Sequence, residues 1–147
     1  MILLLDLNGT IALDGEIIEG VKERLEKLKK KFDIYILSAD TFGTLEDIGK
    51  KLGVSYKKVD KLKYGSEGIA KLMILLELKK NNNYIVAIGN GKNDKYILEK
   101  ADLGICVIGK EGANINAILS ADVVVNNILD ALDLLIYEKR LKATMRD

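Results

Sequence analysis

Short apolar runs alternate along the chain with longer segments in which apolar residues recur every three or four positions. The runs predict six strands, of which the third is more polar and lies at an edge, over residues 2–6, 32–37, 54–59, 84–88, 103–108 and 123–125. The periodic segments predict amphipathic helices over residues 19–31, 42–52, 66–80, 95–100, 112–119 and 128–141. Strands that alternate with helices are typical of a parallel sheet covered by helices on both faces. The pattern therefore predicts an α/β fold.

A small hairpin is predicted soon after the first strand. Asp14 and Gly15 separate two short apolar runs, and Asp-Gly in that setting favours a tight turn. We therefore expect residues 10–18 to form a flap beside the carboxyl end of the first strand. No linker, repeat or low-complexity segment divides the chain, so residues 1–147 are predicted to form a single domain.

The composition narrows the function classes. The 23 basic and 22 acidic residues nearly cancel, so no broad field favours nucleic acid or an anionic membrane, and neither is expected as a partner. Because the chain has no histidine, acid–base chemistry must use other side chains, and a histidine metal site is excluded. The single cysteine, Cys106, lies in an apolar run and is predicted to be a core residue. No apolar run is long enough for a membrane span, and we expect a cytoplasmic protein.

Polar residues with chemical potential follow the predicted strands. Asp6 ends the first strand, Ser38 follows the second, and the loop 90–94 follows the fourth, so parallel strands bring all three to one edge of the sheet. Lys71 lies on the helix before the fourth strand, and its side chain is long enough to reach that edge. A nucleophile, a hydroxyl, a fixed cation and oxygen ligands for a metal are what phosphoryl transfer requires. We therefore interpret Asp6 as a nucleophile toward phosphorus.

Four segments in this order resemble the motifs of the haloacid dehalogenase superfamily, and most closely those of the phosphorylation domain of P-type ATPases. They are Asp6-Leu-Asn-Gly-Thr10, Leu37-Ser-Ala-Asp40, Lys71 and Gly89-Asn-Gly-Lys-Asn-Asp94. The resemblance extends to about residue 130, but the pumps' nucleotide-binding insertion and membrane helices are missing. It implies a three-layer sandwich with strand order 3-2-1-4-5, extended by the sixth strand, in which the flap replaces a cap domain.

The resemblance also implies a role for each site residue. Asp6 would attack the phosphoryl group, and Lys71 would offset the charge on the nucleophile and the phosphate. The residues implied to bind the phosphoryl oxygens are Ser38, Ala39 and Gly9. The residues implied at a Mg²⁺ site are Asp6, Asn8 through its backbone carbonyl, Asn90 and, in a supporting position, Asp94. From the residues alone, Ser38 is equally consistent with a helix cap, and Asp40 is interpreted as a local cap rather than a metal ligand.

Two asparagines depart from the pattern of the phosphatases in the superfamily. Asn8 stands where these phosphatases usually carry an aspartate that protonates the leaving group and activates water, and a primary amide does neither. Asn90 stands where a metal-binding aspartate is usual, so we expect weaker Mg²⁺ binding. Hydrolysis is therefore predicted to be slower by about 10²–10⁴-fold, the usual contribution of acid–base catalysis.

We therefore predict a magnesium-dependent phosphatase or phosphotransferase that works through an aspartyl-phosphate on Asp6. Its substrate would be a phosphorylated small molecule or a phosphoprotein, and a protein partner could cover the open site. The alternative is a catalytically weak regulatory module that binds phosphate or a partner. A receiver domain of two-component signalling is a more distant reading, because its phosphorylated aspartate follows the third strand, whereas Asp6 follows the first.

Overall fold

Six parallel strands form the central sheet in a computed structural model that describes residues 1–40 and 43–147. The strands are β1 (Ile2–Asp6), β4 (Asp33–Ser38), β5 (Ser55–Lys58), β6 (Ile85–Gly89), β7 (Leu103–Val107) and β8 (Val123–Val125). Their spatial order is β5-β4-β1-β6-β7-β8, and every neighbouring pair is parallel. The predicted α/β fold and strand order are confirmed.

The burial of each strand follows its place in the sheet. Every residue of the central strands β1 and β6 is buried, as expected for parallel strands covered on both faces. By contrast, all four residues of β5 are exposed, which confirms the predicted edge strand. Cys106 of β7 is fully buried, and burial, followed by the charge of Asp94, raises the pKa of its thiol to about 11. The prediction of a core cysteine is therefore confirmed.

The described residues form eight α-helices and one short 3₁₀-helix. They are α1 (Val21–Leu28), α2 (Leu45–Leu52), α3 (Lys61–Tyr64), α4 (Glu67–Lys79), the 3₁₀-helix Lys92–Asp94, α5 (Lys95–Lys100), α6 (Ile115–Ser120), α7 (Ile128–Ile136) and α8 (Glu138–Met145). Two apolar cores lie on opposite faces of the sheet, one containing residues of α1, α2 and α7 and the other residues of α4, α5 and α6. The two cores complete the three layers.

Three helices differ from the sequence prediction. The helix expected over 42–52 begins at Leu45, and residues 41 and 42 of that region lie outside the described part of the chain. The helix expected from residue 112 begins only at Ile115, because the backbone of Gly112 has φ +75° and the side chain of Asn114 caps the helix start. The helix expected over 128–141 is broken at Tyr137, whose ψ of 74° is not helical.

The sequence prediction missed α3. This helix has only four residues, too few for an apolar periodicity to be visible. Its ends are defined by local chemistry, since the side chain of Asp60 accepts a hydrogen bond from the Lys63 amide and Gly65 ends the turn at φ +85°.

The predicted hairpin is present as β2 (Ala12–Leu13) and β3 (Glu16–Ile17), which pair antiparallel. Asp14 and Gly15 have φ values of 51° and 84°, the left-handed conformations that a two-residue type I′ turn requires. The hairpin follows directly from the loop after Asp6, where the amides of residues 10–12 all donate to the carbonyl of Leu7. The strand that carries the candidate nucleophile therefore continues into the flap through one tight turn.

None of the helices in the described ranges combines the length and the apolar character needed to cross a bilayer.

Replacing Gly104 of β7 by alanine is expected to destabilise the fold by about 1–3 kcal/mol, the usual effect of overpacking a core. A Cβ atom at this position would overlap the carbonyl oxygen of Leu98, and this backbone atom of α5 cannot rotate away. Urea unfolding at neutral pH measures the loss. Gly68→Ala in α4 is the matched control, because its Cβ would first meet the edge of the Tyr96 ring at 3.3 Å. Equal stability of the two variants would contradict the expected overlap.

Candidate active site

Asp6 lies at the carboxyl end of β1, in the middle of the sheet edge where the predicted motifs meet. The neighbouring strand β4 ends at Ser38, and β6 on the other side leads into the loop that contains Asn90 and Asp94. The parallel register thus brings together three segments that are far apart in sequence. All four of these polar residues are buried, although Asp6, Ser38 and Asn90 still line a cleft.

Lys71 is the fully buried cation of this site. Its helix, α4, begins at a cap in which the side chain of Ser66 accepts from the Ile69 amide, and it packs against the 3₁₀-helix and α5. The Lys71 Nζ donates to Asp6 Oδ1 and to Asp94 Oδ1, each at 2.8 Å. Burial alone would lower the pKa of Lys71, but the charges of these two carboxylates outweigh it and raise the pKa above its ordinary value. Lys71 is therefore protonated throughout the physiological range.

The carboxylate of Asp6 is held from two sides. Lys71 binds Oδ1, and the Thr10 hydroxyl donates to Oδ2 at 2.9 Å. Burial, and then the charge of Asp94, raises the pKa of Asp6 to about 6, although Lys71 and Thr10 act in the opposite direction. At neutral pH the carboxylate is therefore ionised, fixed in orientation and poorly solvated, which are the properties of an activated nucleophile.

Asp94 organises the loop after β6. Its Oδ1 accepts from Lys71, and its Oδ2 accepts from the backbone amides of Asn90 and Gly91 at 3.1 and 3.0 Å. Both oxygens are thus engaged within the protein. The carboxylate joins α4 to the loop and fixes Asn90 beside Asp6, where the Thr10 hydroxyl lies 3.3 Å from Asn90 Oδ1.

Ser38 and Asp40 take different roles at the end of β4. The Ser38 hydroxyl oxygen accepts from the Asp40 amide at 2.9 Å, which leaves its own O–H available as a donor. Asp40 has φ +58°, and its Oδ1 accepts from the Leu45 amide at the start of α2. The interpretation of Asp40 as a local cap is therefore confirmed, while Ser38 and Ala39 line the cleft.

The cleft above Asp6 has a volume of about 680 Å³ and is open to solvent. The residues that line it are Asp6, Asn8, Ser38, Ala39, Glu67, Asn90, Gly91, Asn93, Glu111, Gly112, Ala113 and Asn114. It has three carboxylates, and none of these lining residues is lysine or arginine. An anionic substrate therefore needs backbone amides, the nearby Lys71 and a bound cation to offset this charge.

Sequence reasoning missed three contributors to the site. Thr10 was recognised only as part of a motif, and Glu67 and Glu111 were not singled out at all. Glu67 lies one helical turn before Lys71, and Glu111 follows β7, so the rule that functional residues follow parallel strands would have found Glu111. No sequence pattern indicates Glu67, whose carboxylate accepts from the side chain of Asn93 and lies 3.9 Å from Lys71 Nζ.

The oxygen atoms of the cleft fit a hard divalent cation. Asp6 supplies a carboxylate, Asn90 supplies an amide oxygen, and Asn8 Oδ1 is buried and accepts no hydrogen bond from any described residue. In the described ranges, no group of three or more Asp, Glu, Cys or His side chains is arranged to hold a metal. The donor set therefore consists of oxygen ligands, the type that Mg²⁺ prefers. Because few of these ligands are charged, Mg²⁺ is expected to bind weakly.

No family model matches the sequence of this chain. It is 66% identical over 92 residues to the uncharacterized protein MJ0073 of Methanocaldococcus jannaschii, covering 61% of this chain and 99% of that protein. It is 30% identical over 139 residues to a copper-exporting P-type ATPase of Staphylococcus epidermidis, covering 94% of the chain but only 16% of the pump. A soluble P-type ATPase-like phosphatase of M. jannaschii is 25% identical over 130 residues, covering 88% of the chain and 46% of the phosphatase.

Solved structures show the same fold. The catalytic domain of the CPx-ATPase CopB-B superposes with a TM-score of 0.66 at 28% identity, covering 82% of this chain and 46% of that one. Phosphoserine phosphatase in its apo form gives a TM-score of 0.71 at 18% identity over 92% and 98% of the two chains. The 3-deoxy-D-manno-octulosonate 8-phosphate phosphatase of Moraxella catarrhalis, solved with magnesium and phosphate, gives 0.69 at 18% identity over 99% and 92%.

In the metal-free protein, Asp6→Asn is expected to raise the free energy of unfolding above pH 7 by about 1–3 kcal/mol, since one pKa unit corresponds to about 1.4 kcal/mol. Asparagine resembles the neutral acid, whose form is favoured by burial and by Asp94. Because the folded pKa of about 6 lies above the ordinary 3.8, the wild type loses stability as pH rises through this window. The variant has no such loss.

Urea unfolding in EDTA between about pH 4 and pH 8 measures this difference, which should grow with pH and vanish near the acid end. Asp33→Asn is the control, because Asp33 is exposed and its replacement should give a pH-independent difference. A constant difference between Asp6→Asn and wild type would show that burial does not raise the pKa of Asp6.

Proposed function

We propose that the chain, which has the fold of haloacid dehalogenase phosphatases and resembles the P-type ATPases in sequence, is a phosphohydrolase that forms an aspartyl-phosphate on Asp6. The observation that carries the proposal is the buried cluster in which Lys71 donates to both Asp6 and Asp94. A fixed carboxylate at the floor of an open cleft, held by a permanent cation, suits nucleophilic attack on phosphorus.

The first step would transfer the phosphoryl group to the protein. An oxygen of the Asp6 carboxylate forms a bond to phosphorus as the bond from phosphorus to the leaving-group oxygen breaks. Lys71 stays paired with Asp6 and Asp94 and limits the negative charge that accumulates beside the phosphoryl oxygens. The Ser38 hydroxyl and the backbone amides beside Ala39 and Gly9 would donate to those oxygens.

Magnesium is proposed as the cation, held by oxygens of Asp6, Asn8 and Asn90, with Asp94 fixing the Asn90 loop. When bound, Mg²⁺ would neutralise part of the charge on the transferring group. The buried Asn8 Oδ1 without a partner and the excess of carboxylates in the cleft support a cation at this position.

The second step, hydrolysis of the aspartyl-phosphate, would be slow. Water must lose a proton when it attacks the phosphoenzyme, and the leaving group must gain one in the first step. Asn8 performs neither transfer because its amide does not titrate in a useful range. Substrates whose leaving groups need little protonation, such as aryl or acyl phosphates, are therefore favoured.

The open cleft is proposed to accept a phosphorylated small molecule or a phosphoprotein. No residue of the flap, residues 10–18, lines the cleft, so the flap leaves the entrance uncovered. A partner protein would then close the site. Among the structural neighbours, phosphoserine phosphatase and the octulosonate 8-phosphate phosphatase act on small phosphate esters by their names.

A second candidate function is a binding module that holds a phosphoryl group without turnover. The observation that favours it is the presence of amides at both Asn8 and Asn90, which removes two negative charges and the acid–base group from the cleft. The two functions share the site and differ in whether Asp6 is covalently modified.

Hydrolysis of p-nitrophenyl phosphate should depend on Mg²⁺ and disappear in Asp6→Asn, because the nucleophile is lost. Asn8→Asp should raise the rate by about 10²–10⁴-fold, since it supplies an acid–base carboxyl. Asn81→Asp makes the same change in charge at an exposed turn and should leave the rate unchanged. Wild-type turnover that survives Asp6→Asn would rule out the proposed nucleophile.

Beryllium fluoride with Mg²⁺ should raise the melting temperature of the wild type and not of Asp6→Asn. Beryllium fluoride attaches to a carboxylate in the manner of a phosphoryl group, so it reports the competence of Asp6 without a natural substrate. Differential scanning fluorimetry measures the shift. A stabilised wild type that hydrolyses no aryl phosphate would favour the binding module, whereas no shift in either protein would count against both functions.

A further inference from the structure

The loop after β7 is attached to Asn90. The backbone amide of Asn114 donates to the Asn90 carbonyl at 2.9 Å, and Asn90 Nδ2 donates to the Gly112 carbonyl at 3.2 Å. These two hydrogen bonds hold residues 109–114 beside Asn90, where part of the segment lines the cleft. Glu111 lies in this segment and lines the same cleft as Asp6 and Asn90.

The Glu111 carboxylate lies close to the backbone of Gly9. A Cβ atom at Gly9 would lie 2.7 Å from Glu111 Oε1 and 2.8 Å from Asn90 Nδ2. The carboxylate and the amide therefore pack against the same glycine, two residues after Asn8. Gly9 also has φ +80°, a backbone conformation that residues with a side chain rarely adopt.

The other carboxylates near Asp6 are already engaged. Asp94 uses both oxygens, one for Lys71 and one for two backbone amides. Glu67 accepts from Asn93 and pairs with Lys71 at 3.9 Å. By contrast, Glu111 makes no hydrogen bond or ion pair with any residue in the described part of the chain. It is the cleft carboxylate that is available to a ligand.

The low negative charge of the cluster of Asp6, Asp94 and Lys71 favours a second carboxylate ligand for a divalent cation. Asp6, Asp94 and Lys71 together carry a single negative charge, and Asn8 and Asn90 add none. Hard divalent cations bind carboxylates better than amides. An aspartate at position 90 could not donate the hydrogen bond that Asn90 Nδ2 makes to the Gly112 carbonyl. Its carboxylate would also lie beside that of Glu111. The amide at 90 and the carboxylate at 111 are therefore mutually compatible.

We propose that Glu111 supplies the second carboxylate of the metal site, in place of a carboxylate at position 90. This inference rests on the proposed function, which requires Mg²⁺ beside Asp6. Glu111 thus binds the cation from the mouth of the cleft, while Asp6 binds it from the floor. The charge of the site is then divided between the ends of β1 and β7, two strands separated in the sheet by β6.

Mg²⁺ titration calorimetry on four proteins tests the assignment: wild type, Glu111→Gln, Asn90→Asp and the double variant. Glu111→Gln should weaken Mg²⁺ binding by about tenfold or more, since it removes a charge next to a divalent cation. Glu99→Gln is the matched control, because Glu99 is exposed on α5 and should have no effect. In EDTA, Glu111→Gln and Glu99→Gln should each melt at the wild-type temperature, which excludes a folding defect.

The second measurement is the coupling between positions 90 and 111. If Glu111 stands in for a carboxylate at 90, Asn90→Asp should raise Mg²⁺ affinity more in the Glu111→Gln background than in the wild type. Equal effects in the two backgrounds, or Glu111→Gln that binds Mg²⁺ as tightly as Glu99→Gln, would overturn the assignment. A wild type that binds no Mg²⁺ would overturn it as well.

Turnover of p-nitrophenyl phosphate by the same four proteins and by Asp6→Asn separates this inference from the proposed function. Hydrolysis that depends on Asp6, together with Mg²⁺ binding that is insensitive to Glu111→Gln, would leave the function intact and refute the role of Glu111. Mg²⁺ binding that depends on Glu111, in a protein that hydrolyses nothing, would support the metal site and refute the enzyme.

Discussion

The structure of the site depends on one buried cation. Lys71 is completely enclosed, and it stays charged only because Asp6 and Asp94 each accept a hydrogen bond from its ammonium group. Removing the Lys71 ammonium would leave two buried carboxylates without their cation, which is strongly destabilising. The cluster therefore joins α4, the end of β1 and the loop after β6 into one unit, and it fixes the orientation of the Asp6 carboxylate.

The same cluster sets the electrostatics of the cleft. Two carboxylates and one ammonium leave a negative charge at the floor, and Glu67 and Glu111 add further negative charge at the walls. Burial, and then the charge of Asp94, raises the pKa of Asp6, and the net negative charge of the cleft opposes the binding of an anion by itself. A phosphoryl group is therefore compatible with this cleft only together with a cation, which relates the burial of Lys71 to the proposed need for Mg²⁺.

Asn8 separates two properties that are commonly combined in one site. Nucleophilic attack requires a fixed, ionised carboxylate, and Asp6 has that form at neutral pH. Release of the phosphoryl group to water requires a proton acceptor, which the amide of Asn8 is not. In the proposed function, formation of the phosphoenzyme is therefore less affected than its breakdown. Under that proposal, the phosphorylated state would persist.

The amino-acid sequence by itself determined the α/β fold, the flap turn and the positions of the motif residues at one sheet edge, and its resemblance to the haloacid dehalogenase superfamily implied the strand order. Continuous apolar runs predict buried parallel strands. The carboxyl ends of such strands lie at one edge of the sheet, regardless of the sequence of the loops. The ends of α2 and α6 and the break at Tyr137 depend on left-handed backbone, caps and single hydrogen bonds, which periodicity does not report. Only the tertiary structure decided that Lys71 bridges Asp6 and Asp94, and that Glu111 lies against Gly9 beside Asn90. These contacts join residues 21 to 102 positions apart, and they exist because packing of the sheet and helices brings the side chains within a few ångströms.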